Sequence, residues 1–190
     1  MVSRGLYLPR RPIPIATAIQ FDTIRNIMAE STKPQQTPIL GNAAYDAALD
    51  DILARARTTV RIFESALGTG YNSIKRTELL RTFLLASRRN RLQIVVHDAQ
   101  SMDRNCPRLL NLLRVHAHAI SIHETHQAAK AVYDPFAVAD DAHYVHRFHF
   151  EEMRGLMAVD DPIGTHPFIE RFAEIWEASS PAVSATTLGL

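Results

Sequence analysis

The sequence predicts an α/β fold: a mixed, largely parallel sheet flanked by helices. Three observations carry that prediction. Short β-branched runs at 58–64 (TTVRIFE), 91–97 (RLQIVVH) and 119–123 (AISIH) read as strands. Segments with helical spacing separate them. The resulting strand–helix–strand–helix–strand order is the mark of parallel units joined by right-handed crossovers.

The elements follow in order. Residues 1–16 hold Pro9, Pro12 and Pro14 and little periodicity, which predicts an arm. Residues 18–29 predict a short helix with Ile19, Ile24, Ile27 and Met28 on its apolar side. Composition makes 31–38 (STKPQQTP) a linker. The expected divisions are an arm, short helix and linker over 1–38, an α/β domain over 39–180 and a tail over 181–190. Asn42 is expected to cap a helix whose buried face is Tyr45, Ala48, Leu49, Ile52, Leu53 and Ala56. Ser73 is expected to cap the next, with Leu79, Leu80, Phe83 and Leu84 inside. Pro107 suits the first turn of a third, which buries Leu109, Leu110, Leu112 and Leu113. Residues 131–139 and 143–150 predict a hairpin turning at Asp140-Asp141, and 156–159 a further short strand. Phe168, Ile169, Phe172, Ile175 and Trp176 recur at helical spacing and predict a closing helix, with Trp176 largely buried.

Hydrophobic residues make up 46% of the 190 and charged residues 22%, an ordinary balance for a globular protein. The formal charge is only +1, but it is unevenly spread. Residues 71–114 carry nine basic and three acidic side chains, a net of +6, and 132–177 carry ten acidic and three basic, a net of −7. Two solvated faces account for this split. The sharper alternatives are a basic face that meets phosphate, from nucleic acid or another ligand, and an acidic surface offered by a second subunit. Cys106 is the single cysteine, which excludes an intrachain disulfide and fits a reducing compartment. No apolar run reaches the ~18 residues that a membrane helix needs, and prolines interrupt the basic N-terminus. These features predict a cytoplasmic protein with no membrane partner.

From Asn42 onward, a leading helix runs into TTVRIFESAL, then come strand–helix–strand units, a hairpin and the closing segment FIERFAEIWEASSP. This order, and the spacing Phe172-x-x-Ile175-Trp176-x-x-Ser179, resembles one half of a phospholipase D-like domain, in the degenerate form seen in some bacterial proteins. The resemblance covers roughly three quarters of the chain. It implies that chemistry would sit on the first hairpin strand, in the pattern H-x-K-x-x-x-x-D. There the His attacks phosphorus, the Lys holds the phosphate oxygens and the Asp supports the site. It also implies that two such halves face one another, hence a homodimer for a chain with one half. Laid on this chain, Tyr133 stands at the His position, Pro135 at the Lys position and only Asp140 agrees. The downstream G-S-x-N falls on Arg147-Phe148-His149-Phe150 and is absent too. Proline has no side-chain donor or cation. Lys130 offers no second register, because Ala128 precedes it by two. The first reading is therefore a non-catalytic domain that acts by binding or assembly, without a cofactor.

The alternative is a divergent phosphoester hydrolase, with or without a metal. Eight of nine histidines lie between His97 and His149. Parallel strands would bring Glu64, His97, Asp98, His123, Glu124 and His126 toward their carboxyl ends, the edge where open α/β sheets bind ligands. No spacing among them matches a metal motif such as H-E-x-x-H. The sequence contains no G-x-S-x-G, P-loop or G-x-G-x-x-G. Cys106 precedes Pro107 at a helix start, where a thiolate is favoured, although a buried or incidental cysteine is the better reading.

Overall fold

The computed structural model describes residues 34–183. The arm and the helix expected over 1–29 lie outside these residues. The described chain forms one eight-stranded sheet with helices on both faces. Its strands are β1 (Gln35–Leu40), β2 (Thr59–Ala66), β3 (Arg91–Asp98), β4 (Ile120–Thr125), β5 (Phe136–Ala139), β6 (His143–Arg147), β7 (Arg154–Val159) and β8 (Ser179–Val183). The longer helices are α1 (Asn42–Arg55), α2 (Ile74–Ala86), α3 (Pro107–Val115) and α4 (Pro162–Glu177), and a single helical turn, Met102–Asn105, precedes α3. Strand order is β1-β7-β6-β5-β2-β3-β4-β8.

The α/β class is as expected, but the sheet is mostly antiparallel rather than largely parallel. Only the β2–β3 and β3–β4 ladders are parallel, because α2 and α3 are the only crossovers between neighbouring described strands. The hairpin β5–β6–β7 and both edges pair antiparallel. Strands β1 and β8 sit partly where the sequence reads as linker and tail, since Pro38 and Pro181 look like breakers. Both occupy edges, and an edge strand tolerates a proline that cannot donate to a neighbour.

Alternation along the strands divides the core. Val60 and Ile62 of β2, Leu92, Ile94 and Val96 of β3, and Ile122 of β4 join Leu49, Ile52, Leu80 and Leu109 in the cluster under α1, α2 and α3. Phe63, Val95, Phe136, Val138 and Tyr144 join Phe172 and Ile175 under α4 on the other face. The central strand β3 is covered on both sides, which explains its uninterrupted apolar run. Each fully buried Leu, Ile or Phe contributes about 1.5–3 kcal/mol.

Local signals account for the element ends. Gly41, not Asn42, caps α1; its φ of 91° favours glycine, and its N–H bonds the Met153 carbonyl at 2.7 Å. Ser73 caps α2 by accepting from the Arg76 N–H, and Pro107 opens α3. Asp161 caps α4, accepting from the Gly164 N–H at 2.8 Å. Asp140 and Asp141 have left-handed φ of 54° and 57° in a three-residue loop between the paired Ala139 and His143, closed by the Ala142 N–H donating to the Ala139 carbonyl at 3.2 Å. Strand β5 is shorter than expected and begins after Pro135, which has no N–H for the ladder.

Candidate functional site

Strands β2 and β5 run antiparallel with Phe63 opposite Phe136. The residues just before β5 therefore reach the same edge as the carboxyl ends of β2, β3 and β4. This edge carries Tyr133 and Pro135. Asp140, at the far end of β5, lies at the opposite edge.

Tyr133 is 50% exposed and lies beside His149 and Phe150, with ring centroids 5.7 and 5.9 Å away. Its carbonyl accepts from the Phe150 N–H at 2.8 Å. Pro135 is buried, and its carbonyl accepts from the Arg147 N–H at 2.8 Å. Between them Asp134 accepts from Arg171 Nη2 of α4 at 2.6 Å and lies 3.3 Å from His146 Nε2. Burial raises the Asp134 pKa, but the His146 hydrogen bond and the Arg171 charge outweigh it and hold the carboxyl below its ordinary value. The edge thus presents a carboxylate already shared by two basic side chains, flanked by the exposed Tyr133, Phe148 and Met153.

Asp140 has a different task. Its carboxylate accepts the backbone N–H groups of Arg57, Thr58 and Thr59, the last two at 2.7 and 2.9 Å, and the Thr58 hydroxyl at 2.9 Å. It ties the hairpin turn to the start of β2. Burial opposes ionisation, yet the bonds from Thr59, Thr58 and Arg57 prevail and lower its pKa.

The six residues at the strand ends are not brought together. His97 Nε2 lies 2.7 Å from the Val132 carbonyl, which can only accept, so this nitrogen carries the proton. His97 Nδ1 then accepts from the Thr125 hydroxyl at 2.7 Å, leaving no free lone pair for a metal. Asp98 accepts from the Gln100 N–H at 2.8 Å. Glu124 pairs with Lys130 at 3.8 Å. His123 bonds Ser179 at 3.1 Å and stacks on Trp176 at 3.7 Å, and burial lowers its pKa. His126 is exposed, with its N–H on the Ala178 carbonyl. Glu64 points to the other face, under α1. Among the described residues no group of three or more His, Cys, Asp or Glu is placed to hold a metal ion. Cys106 is fully buried, and burial raises its thiol pKa to about 11, the opposite of activation.

Two buried polar networks escape sequence reasoning. Glu64 Oε1 accepts from Tyr45 OH at 3.2 Å and Tyr71 OH at 2.9 Å, and burial raises its pKa. The Arg147 guanidinium lies 4.2 Å from the Tyr45 ring centre. Nearby, Arg76 is 2% exposed and bonds Asp50 at 2.8 Å and Asp46 at 3.0 Å. The signal for the second network was present: Arg76 falls one turn before Leu80 on the apolar stripe of α2. An arginine there needs a buried partner.

The layered sheet, with α1, α2 and α3 on one face and α4 closing the other, is a phospholipase D-like α/β fold. Three solved structures share it. Nuc from Salmonella typhimurium, a phospholipase D family member, aligns with TM-score 0.55 and 13% identity over 80% of this chain and 100% of that one. Phosphatidylserine synthase from Haemophilus influenzae Rd KW20 aligns at 0.55 and 12%, over 94% and 49%. TrmBL2, an archaeal chromatin protein that binds DNA, aligns at 0.59 and 10%, over 88% of this chain and 63% of that protein. The likeness at these identities is one of fold. No curated protein matches the sequence. The chain belongs to the family described as "Domain of unknown function (DUF7931)", whose profile matches residues 41–188. No helix among the described residues is long and apolar enough to cross a membrane.

Proposed function

We propose that this chain is a degenerate phospholipase D-like half-domain that has lost the phosphodiester chemistry and acts by binding or assembly. The observation that carries the reading is the edge before β5. Where the resemblance calls for an attacking imidazole and an anion-holding ammonium, there are a half-exposed phenol and a buried proline. Asp134, between them, is a carboxylate already engaged by Arg171 and His146, and it offers phosphate no donor. His149 Nδ1, beside the phenol, already accepts the Glu151 N–H at 3.2 Å, so it is not free to take a proton. A phenol without a base is a poor nucleophile. The surviving Asp140 serves the hairpin turn.

The test is hydrolysis of bis(p-nitrophenyl) phosphate by the purified chain, with and without Mg2+ or Mn2+. No turnover above buffer is expected. Turnover that vanishes in Tyr133→Phe would overturn the reading.

The proposal includes a folded α/β domain, expected over 39–180 and extended by the edge strands to 35–183, with flanking segments, and a cytoplasmic setting, which suits a buried Cys106 that needs no partner. It also includes a homodimer through the carboxyl edge, where Tyr133, Phe148 and Met153 supply exposed apolar surface. Sedimentation at micromolar protein tests this: a monomer mass at both low and moderate salt would exclude it. DNA binding is a property of the archaeal neighbour; a nucleic acid or other phosphate ligand is proposed here from the basic stretch of this chain.

A further inference from the structure

We propose that the outer face of α2 and α3 binds the sugar–phosphate backbone of duplex nucleic acid. This surface is separate from the carboxyl edge and does not depend on how that edge is read. It gives a location and a geometry to the phosphate partner.

The two helices lie side by side on one face of the sheet, and clefts run between them. One cleft, of about 490 Å³, is lined by Thr77, Glu78 and Arg81 of α2 and by Arg108 and Asn111 of α3. The next, of about 480 Å³, is lined by Leu84, Leu85 and Arg88 with His116 and His118. From Thr77 to Ala86, where α2 ends, the groove runs about 14 Å at the helical rise of 1.5 Å per residue, and Arg88 lies just beyond. Arg88, Arg89, Arg104, Arg108 and Arg114 are all exposed and have no carboxylate partner among the described residues. Their carboxylate competitors are few. Glu78 is held by Arg81 at 2.7 Å, and Asp103 accepts the Arg104 N–H at 2.8 Å. The acids of α1 are engaged elsewhere, Asp46 and Asp50 by Arg76, and Asp51 by Arg55. The face therefore carries several uncompensated guanidinium groups, the side chain best suited to phosphate oxygens.

The chemistry selects the ligand. A duplex carries about one charge per 1.7 Å of axis, so a face this long meets several phosphates. Neither cleft is lined by Phe, Tyr or Trp, and the rings on offer are the imidazoles of His116 and His118, so a single strand gains little stacking. Recognition through phosphate alone is independent of sequence. A lipid surface fits less well, because Leu85 and Val115 are the only large apolar side chains exposed on these helices apart from Ile74 at the start of α2.

The experiment is fluorescence anisotropy of the full chain with a labelled duplex of about 20 base pairs, from 50 to 200 mM KCl. With about four phosphates neutralised, affinity should fall roughly 100-fold over that range. Arg88→Gln/Arg108→Gln/Arg114→Gln should weaken binding at 50 mM KCl by more than 10-fold and flatten the salt slope by about 2.7. Arg55→Gln, on α1, should change nothing. Circular dichroism checks that the exposed triple variant stays folded. Tyr133→Ala/Phe148→Ala should leave duplex binding intact, so failure of the edge reading and failure of this one are distinguishable. No binding at 50 mM KCl overturns the proposal, as does binding that the triple variant retains. Equal or tighter binding to phosphatidylserine vesicles, or displacement by poly-glutamate as readily as by unlabelled duplex, also overturns it.

Discussion

Asp140→Ala should be among the most destabilising single changes at a partly exposed position in this chain. The carboxylate serves the N–H groups of Arg57, Thr58 and Thr59 and the Thr58 hydroxyl. A hydrogen bond to a charged group contributes about 1.5–3 kcal/mol. Water replaces most of this at Arg57 and Thr58, where the bonds are exposed, and less at the partly buried Thr59. A loss of about 2–4 kcal/mol follows. The φ of 54° adds ~1 kcal/mol for alanine, which tolerates the left-handed region less well than aspartate. Asp140→Asn keeps the conformation and one acceptor, so it should lose only about 1–2 kcal/mol. Urea denaturation at pH 7 measures both. The pH dependence gives a second check. The folded pKa lies below the unfolded one, so the contribution is present above pH ~4 and is lost as pH falls through the folded value. Asp140→Asn should remove that part of the acid sensitivity. A loss below ~1 kcal/mol in Asp140→Ala, or an unchanged acid limb in Asp140→Asn, would refute the capping role.

Three further outcomes are expected. Trp176 is partly rather than largely buried, so Trp176→Ala should lose about 2–3 kcal/mol in denaturation, below the usual range for a core tryptophan. The His123 pKa is lowered in the fold, so stability should decline as pH falls from ~6.5 toward the folded value; NMR titration of His123 should show its pKa move back up in Trp176→Ala. The Glu64 pKa is raised, so its contribution is present below pH ~4 and fades as pH rises through the folded value. Glu64→Gln should then match or exceed the parent's urea midpoint at pH 8, whereas Tyr71→Phe, which removes a donor to a buried carboxylate, should lower it by about 1–3 kcal/mol in free energy.

Regular elements were legible where periodicity set them. The three strands under the crossovers, the helices and the turn at Asp140-Asp141 follow from apolar spacing and turn chemistry alone. The edge strands were not, because Pro38 and Pro181 carry a breaker signal that an edge position cancels, and pairing is decided by distant partners. The site positions Tyr133, Pro135 and Asp140 could be named from the motif, but their separation to opposite sheet edges follows only from the length of β5. Contacts such as Glu64 with Tyr45 and Tyr71, or Asp134 with Arg171, join residues far apart in sequence and have no local pattern. The polar residues at the strand ends read as one cluster in the sequence, yet alternation sends Glu64 and His97 to opposite faces.

The same alternation changes what the charge split can do. The basic residues of α2 and α3 lie on one face of the sheet, and the acids of α4, Glu170, Glu174 and Glu177, lie on the other. A closed twofold contact uses the same patch on both subunits. Faces separated by a sheet cannot both enter one such contact, so attraction between them would stack copies head to tail into an open array. Charge complementarity between subunits, one reading of the split in the sequence, therefore does not favour a closed dimer. A symmetric pair needs a patch that is complementary to itself. The carboxyl edge offers one, with Tyr133, Phe148 and Met153 exposed around an Asp134 that is already paired with Arg171 and lies 3.3 Å from His146 Nε2. Association there would bury apolar surface with the exposed Glu151 at its margin, and would depend only modestly on salt. Binding on the face of α2 and α3 would depend steeply on it. The response to ionic strength thus separates the two surfaces.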